Sequence, residues 1–215
     1  MKHEVLNIFN NLFKEFPALE TCKASVESAY DILKECYDNG GKVLICGNGG
    51  SASDSEHIVG ELMKGFLLKR KIPGSAVDKI SACFPGDYKY LADHLQGALP
   101  AISLVSQTAV SSAFINDVAA DMVFAQQVYG YGKPGDVLWG LSTSGNSKNV
   151  VNAIKISRAF GIKALGMTGE TGGYMKELCD ACICVPSYET YRIQEYHLPV
   201  YHALCAMLEA EYFNG

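Results

Sequence analysis

The stretch ICGNGGSASDSEHIVGEL, residues 45–62, changes character twice along its length. It leaves an apolar run, crosses a glycine-rich polar loop and enters a segment with helical spacing. A second stretch, LSTSGNSKNV at residues 141–150, repeats that order. Apolar runs that feed helices through short loops are the building unit of a parallel sheet, because each crossover must carry the chain back to start the next strand. Outward from these two, KVLICG, LPAISLV, DVLWGLS, KALGMTG and ACICVP read as buried strands. Helical patterns fall between them at residues 52–67, 108–131, 146–160 and 173–179, and a last one, rich in His, Tyr and Leu, covers 189–213. The expectation is an α/β chain: a three-layer αβα sandwich around a five-stranded parallel sheet, flavodoxin-like in kind.

Residues 1–39 form an N-terminal helical segment ahead of the first strand. Val5, Ile8, Phe9, Leu12 and Phe13 recur at helical spacing, and Val26, Ala29, Ile32, Leu33 and Cys36 do so again. The sequence DNGGK then stops the second helix with glycines suited to a left-handed cap. With 215 residues, 48% of them apolar, the chain has material for one large core, and no linker divides it. One domain over 1–215 is expected.

The net charge of −5 comes with no basic block or basic aromatic stripe, which disfavours nucleic acid as the main ligand. The opening MKHEVLNIFNNLFKEF scatters polar residues through its apolar positions, unlike a signal peptide, and no later run is long and uncharged enough for a bilayer. The eight cysteines are mostly dispersed, as reduced thiols in a cytoplasm are. The exception, CDACIC at residues 179–184, reads as a strand with Cys182 and Cys184 on one face. A zinc knuckle would need a second ligand pair, and none stands at ligand spacing.

In a parallel sheet, ligands collect at the carboxyl ends of the strands. GNGGS, residues 47–51, lets backbone approach a ligand closely. STSGNS, residues 142–147, offers hydroxyls and free amides ahead of a helix N-terminus, a combination that suits phosphate. Neither loop ends in Gly-Lys-Ser/Thr, and GNGGSA lacks the dinucleotide spacing. Only the first loop is followed by His57 and Glu61, four apart and so about 40° apart around a helix. The C-terminal RIQEYHLPVYH adds Gln194, Glu195, His197 and His202. A His/Glu pair on one helix and Gln/His on another can make a small metal site or an acid–base pair. Helical arithmetic alone leaves His197 and His202 equally placed.

CGNGGSASDSEHIVGEL, IND, LSTSGNSKNV and RIQEYHLPVYH together resemble the sugar isomerase (SIS) domain family, and within it the sedoheptulose-7-phosphate (phosphoheptose) isomerases. The resemblance implies a single SIS domain and a homotetramer with sites between subunits. It implies Asn48, Gly49, Gly50 and Ser51 against substrate, Asn116 and Asp117 on sugar hydroxyls, and Ser142, Thr143, Ser144 and Ser147 around the phosphate. His57, Glu61, Gln194 and His202 match the family's zinc ligands, with Gln194 also near substrate. Glu61 and His202 match its catalytic pair, Glu61 as base and His202 as acid. The implied reaction moves a carbonyl between C2 and C1 of a phosphorylated ketose through an enediol, with zinc as Lewis acid.

Two other readings of the resemblance are the same chemistry on another phosphosugar and a non-catalytic SIS-fold regulator. Such regulators lack the Glu after the first loop, so Glu61 counts for an enzyme. Several features depart from the family pattern. Residues 70–98 form an inserted segment, with Phe84, Tyr88, Tyr90 and Leu91 expected to pack over substrate or a subunit contact. Gly65 stands where an Arg is usual, with Lys64 or Arg70 as substitutes. Tyr191 stands where some relatives have Asp, and Pro199 within the last helix removes a backbone hydrogen bond and can bend it, which bears on the aim of His202.

Overall fold

The computed structural model describes residues 1–213. Two helices open the chain, α1 (His3–Glu15) and α2 (Lys23–Asp38), joined by a 3-10 turn. The first strand β1 (Val43–Cys46) leads into α3 (Gly50–Met63). A helical hairpin follows, α4 (Gly74–Cys83) and α5 (Tyr88–His94). After β2 (Ala101–Ser103) come α6 (Thr108–Asp117) and α7 (Val123–Tyr131). Then β3 (Val137–Leu141), α8 (Lys148–Ala159), β4 (Lys163–Thr168), the short α9 (Met175–Leu178), β5 (Ala181–Cys184) and the long α10 (Thr190–Phe213) complete it.

All five strands are parallel, in the order β2-β1-β3-β4-β5. Their near-continuous apolar runs are what a sheet covered on both faces requires. Val43, Ile45, Trp139 and Leu165 point into one buried layer with α1, α2, α3 and α10, while Leu44, Cys46, Leu138 and Ala164 point into the other with α7 and α8. The expected αβα sandwich is the fold observed.

One local reading differs. The helical pattern at 108–131 is two helices, because a 3-10 turn at Ala120–Met122 separates α6 from α7. The inserted segment packs chiefly on itself: α4 and α5 bury no residue, and Phe84 and Tyr90 are 59% and 67% exposed. The last helix runs through Pro199, over nearly the whole of the expected 189–213. Among the described residues no helix is long and apolar enough to cross a membrane.

Candidate active site

The sheet order places β2 and β3 on opposite sides of β1. Loops leaving β1 and β3 therefore diverge to opposite faces and open a crevice at their carboxyl ends. Both polar loops lie there. Gly49 has φ +56 and Gly145 φ +66, values that an L side chain rarely adopts. A Cβ on Gly50 would stand 2.5 Å from Gln194 Nε2, so glycine there lets α10 close onto the first loop. The loops are also tied across the crevice. Asn48 and Asn149 exchange amide hydrogen bonds, each 2.9 Å long.

Between the loops lies a pocket of about 300 Å³, lined by Asn48, Gly49, Gly50, Ser51, Ser142, Thr143, Ser147 and Gln194. Ser142 and Ser147 face each other at 2.9 Å between hydroxyls. Ser144 is exposed, and its hydroxyl accepts from the Asn146 N–H at 3.2 Å. The N-terminus of α8 begins at Ser147 with no side chain capping it. Small hydroxyls, unengaged amides and a helix N-terminus are the components of an oxyanion cradle.

The titratable residues gather further along α3. His57 Nε2 lies 3.3 Å from Glu61 Oε1 and 3.4 Å from His202 Nε2. Glu61 is mostly covered, with 12% of its side chain exposed, and its buried Oε2 has no hydrogen-bond partner. Lys64 Nζ stands 3.9 Å from that atom, whereas Arg70 is buried against Glu209. Lys64 is thus the cation beside the carboxylate. Burial, then the neighbouring His57, lowers the pKa of His202 below its usual value, and Glu61 opposes that shift. Phe66 packs against its ring at 5.4 Å.

The choice left open between the two histidines of α10 resolves here. His197 is fully buried and meets the Thr168 carbonyl at 3.3 Å, far from the cluster. Glu195 turns outward to Arg192 at 2.5 Å. Gln194 belongs to the loop pocket; eight residues before His202, it lies about 12 Å back along the helix. Asn116 and Asp117 lie exposed at the end of α6, hydrogen-bonded to each other at 2.8 Å. One chain therefore joins His57, Glu61 and His202, groups Gln194 with the loop residues, and leaves Asn116 and Asp117 apart from both.

Among the described residues no set of three or more His, Cys, Asp or Glu encloses a metal ion as the side chains stand. The donors nevertheless suit zinc. Separations of 3.3 and 3.4 Å about His57 Nε2 are close to those between neighbouring ligands at Zn–N and Zn–O bonds of about 2.0–2.2 Å. Glu61 Oε2, buried and without a hydrogen bond, has only the mostly exposed Lys64 ammonium 3.9 Å away to offset its burial, which leaves it open to a cation.

Two residues that the sequence reading passed over hold this arrangement. Asn149 completes the bridge between the loops, and Tyr201 touches both His57 and Asp54. Asp54, His57 and Glu61 share one face of α3 by their spacing, a signal the sequence did carry. Nothing in local spacing marked Asn149 or Tyr201.

The pattern of the SIS domain family matches residues 9–79 and 91–169. A phosphoheptose isomerase from Akkermansia muciniphila is 35% identical over 215 residues, 100% of this chain and 98% of that protein. One from Helicobacter pylori is 41% identical over 207 residues, covering 93% of this chain and 94% of the other. Among solved structures, phosphoheptose isomerase from Neisseria gonorrhoeae superposes with TM-score 0.70 at 31% identity, over 95% of this chain and 97% of that one.

Proposed function

The chain belongs to the SIS domain family and, within it, to the phosphoheptose isomerases, and on that premise we propose that it interconverts sedoheptulose 7-phosphate and D-glycero-D-manno-heptose 7-phosphate for bacterial heptose synthesis. The observation that carries the proposal is the convergence of Glu61 and His202 on His57, on a helix that starts at the polar loops. Isomerisation needs one group to take a proton from carbon and another to manage the proton at oxygen. Glu61, a shielded carboxylate with an open oxygen, takes the carbon-bound proton. His202, kept toward its neutral form, exchanges the proton at the sugar oxygen. Ser142, Thr143, Ser144 and Ser147 hold the phosphate, with Asn48, Gly49, Gly50 and Ser51 closing on the sugar; Asn116 and Asp117, apart from this pocket in one chain, would reach the sugar hydroxyls of a site shared between subunits.

His57, Glu61 and His202 are the residues that would hold a zinc ion, with Gln194 as the fourth donor. When bound, zinc supplies Lewis acidity toward the carbonyl. We further infer a homotetramer with sites between subunits. Two features support it: Gln194 lies two turns from His202, and an apolar cleft of about 520 Å³ between α1 and α10 has His202 in its wall. A second chain would cover that cleft. The proposal includes a cytoplasmic location, in keeping with eight free thiols.

The test is to incubate the protein with sedoheptulose 7-phosphate and follow aldose phosphate, with and without a chelator. Turnover of that ketose, lost on chelation, is the expected result. Turnover of only a shorter or aminated sugar phosphate would transfer the proposal to that substrate. Absence of turnover on any sugar phosphate would make the chain a regulator.

A further inference from the structure

Tyr201 stands between two side chains of α3. Its hydroxyl lies 3.0 Å from His57 Nδ1 and 3.3 Å from Asp54 Oδ1. The residue is fully buried, and its ring meets the His57 ring edge-on at 5.5 Å. These contacts leave little freedom in where the protons go. A phenol has one hydrogen to donate and lone pairs to accept with, whereas a carboxylate can only accept. If Tyr201 donated to His57, Asp54 would have no partner at Oδ1, and its Oδ2 is already buried without one. A carboxylate bare at both oxygens is the costlier arrangement. Glu61 can forgo a hydrogen from His57 because Lys64 Nζ stands 3.9 Å from its Oε2, whereas among the described residues no lysine or arginine pairs with Asp54. The phenolic hydrogen therefore goes to Asp54, and the phenolic oxygen accepts from His57 Nδ1–H.

We propose that Tyr201 and Asp54 are positioning residues that hold neutral His57 as its Nδ1–H tautomer, aiming an unprotonated Nε2 at the point shared with Glu61 and His202. The assignment deepens the functional reading above and rests on it for its purpose. Its consequence is chemical: with Nε2 unprotonated, the 3.3 Å approach to Glu61 Oε1 joins two electron-pair donors. Such a pair stabilises a cation placed between them, and a hydrogen bond that fixes the far ring nitrogen is how proteins orient an imidazole toward a metal. The same contacts keep His57 from acting as a proton donor to Glu61, which leaves the carboxylate free for its own proton transfer.

The experiment reads the tautomer directly in the metal-free protein, so it does not depend on turnover. Long-range proton–nitrogen correlation spectra of histidine-labelled protein, taken after chelation at alkaline pH, report which ring nitrogen carries hydrogen. The His57 signals are assigned by their loss in His57→Asn. The expected wild-type result is a protonated Nδ1 and a bare Nε2 at His57. Tyr201→Phe keeps the buried ring and removes the acceptor; Asp54→Ala frees the phenol to donate to Nδ1. Both should move His57 toward the Nε2–H form. Asp54→Asn, whose amide oxygen still accepts, should restore the wild-type pattern. Zinc affinity, titrated against a chromophoric chelator, should fall about 10–100-fold in the first two variants. An Nε2–H tautomer in the wild-type protein would overturn the proposal and leave the isomerase reading standing. So would His57 shifts that ignore both variants. The expected tautomer in a protein that turns over no sugar phosphate would overturn the isomerase reading alone.

Discussion

Glu61 and His197 show how position decides what an ionisable side chain does. Glu61 lies under partial cover beside His57, with Lys64 as its nearby cation and one oxygen free of hydrogen bonds. Glu61→Gln keeps the shape and removes the base. Its kcat should fall about 10²–10⁴-fold. A variant that kept most of its turnover while still binding zinc would remove Glu61 from the role of base. His197, by contrast, is held neutral by burial, its pKa pushed down to about 4 despite the Thr168 carbonyl. Below pH about 6.5 the unfolded chain takes up a proton at this residue that the folded chain refuses until about pH 4. Stability is therefore fully present above that window and is lost as pH falls through it, on the order of 3 kcal/mol in all. Urea midpoints measured across this range should fall steeply in the wild type, and His197→Gln should flatten that limb. Equal slopes in both proteins would mean another group controls it. Helical spacing alone did not separate His197 from His202, because 3.6 residues per turn leaves both within a shared arc, and only the family resemblance pointed to His202. In the structure, the burial of His197 against the Thr168 carbonyl and the approach of His202 to His57 agree with that choice.

At the scale of elements, two connections set the geometry. The loop after β3 depends on Gly145, where a Cβ would lie 2.1 Å from the Gly172 carbonyl oxygen at φ +66. Gly145→Ala must displace one of these two backbones. KM for the sugar phosphate should rise at least about tenfold, roughly 1.4 kcal/mol of lost binding, with kcat changed less. An unaltered KM would show that the loop does not hold the anion. The other connection is the segment after α3. Glu209 on α10 accepts from the backbone N–H groups of Phe66, Leu67 and Leu68 and from Arg70 Nε at 2.7 Å. Arg70 in turn donates to the carbonyls of Leu62 and Glu61, the last turn of α3. Glu209→Ala leaves a buried guanidinium without its partner and should cost about 3–5 kcal/mol in urea unfolding; a loss below 1 kcal/mol would show the pair to be dispensable. The strands and the two loops were legible because apolar runs and glycines have local signatures. Arg70 was not, since its partner lies far along the chain and its burial follows from tertiary packing.

For the whole molecule, the division between body and hairpin is the clearest feature. The αβα body was readable from the alternation of strand and helix patterns, and the hairpin was not, because α4 and α5 contribute nothing to the core. Replacing residues 72–95 by a short Gly/Ser linker should leave unfolding cooperative. The thermal midpoint should move by no more than about 2–4 °C, the equivalent of 1 kcal/mol at this chain length. Loss of a single sharp transition would mean that the hairpin supports the body after all.

The neck of this hairpin has a consequence of its own. Gly97 N–H donates to the Arg70 carbonyl at 2.9 Å, and Gly65 N–H donates to Gln96 Oε1 at 2.6 Å, so the excursion leaves and rejoins the body at one stapled junction. Arg70 and Glu209 hold the inner side of that junction in place. Whatever is spliced outward of it can lengthen, shorten or change composition while the carboxylate of Glu61 stays where it is. The junction makes the hairpin an interchangeable cassette, a place where new surface can be tried without retuning the chemistry beneath.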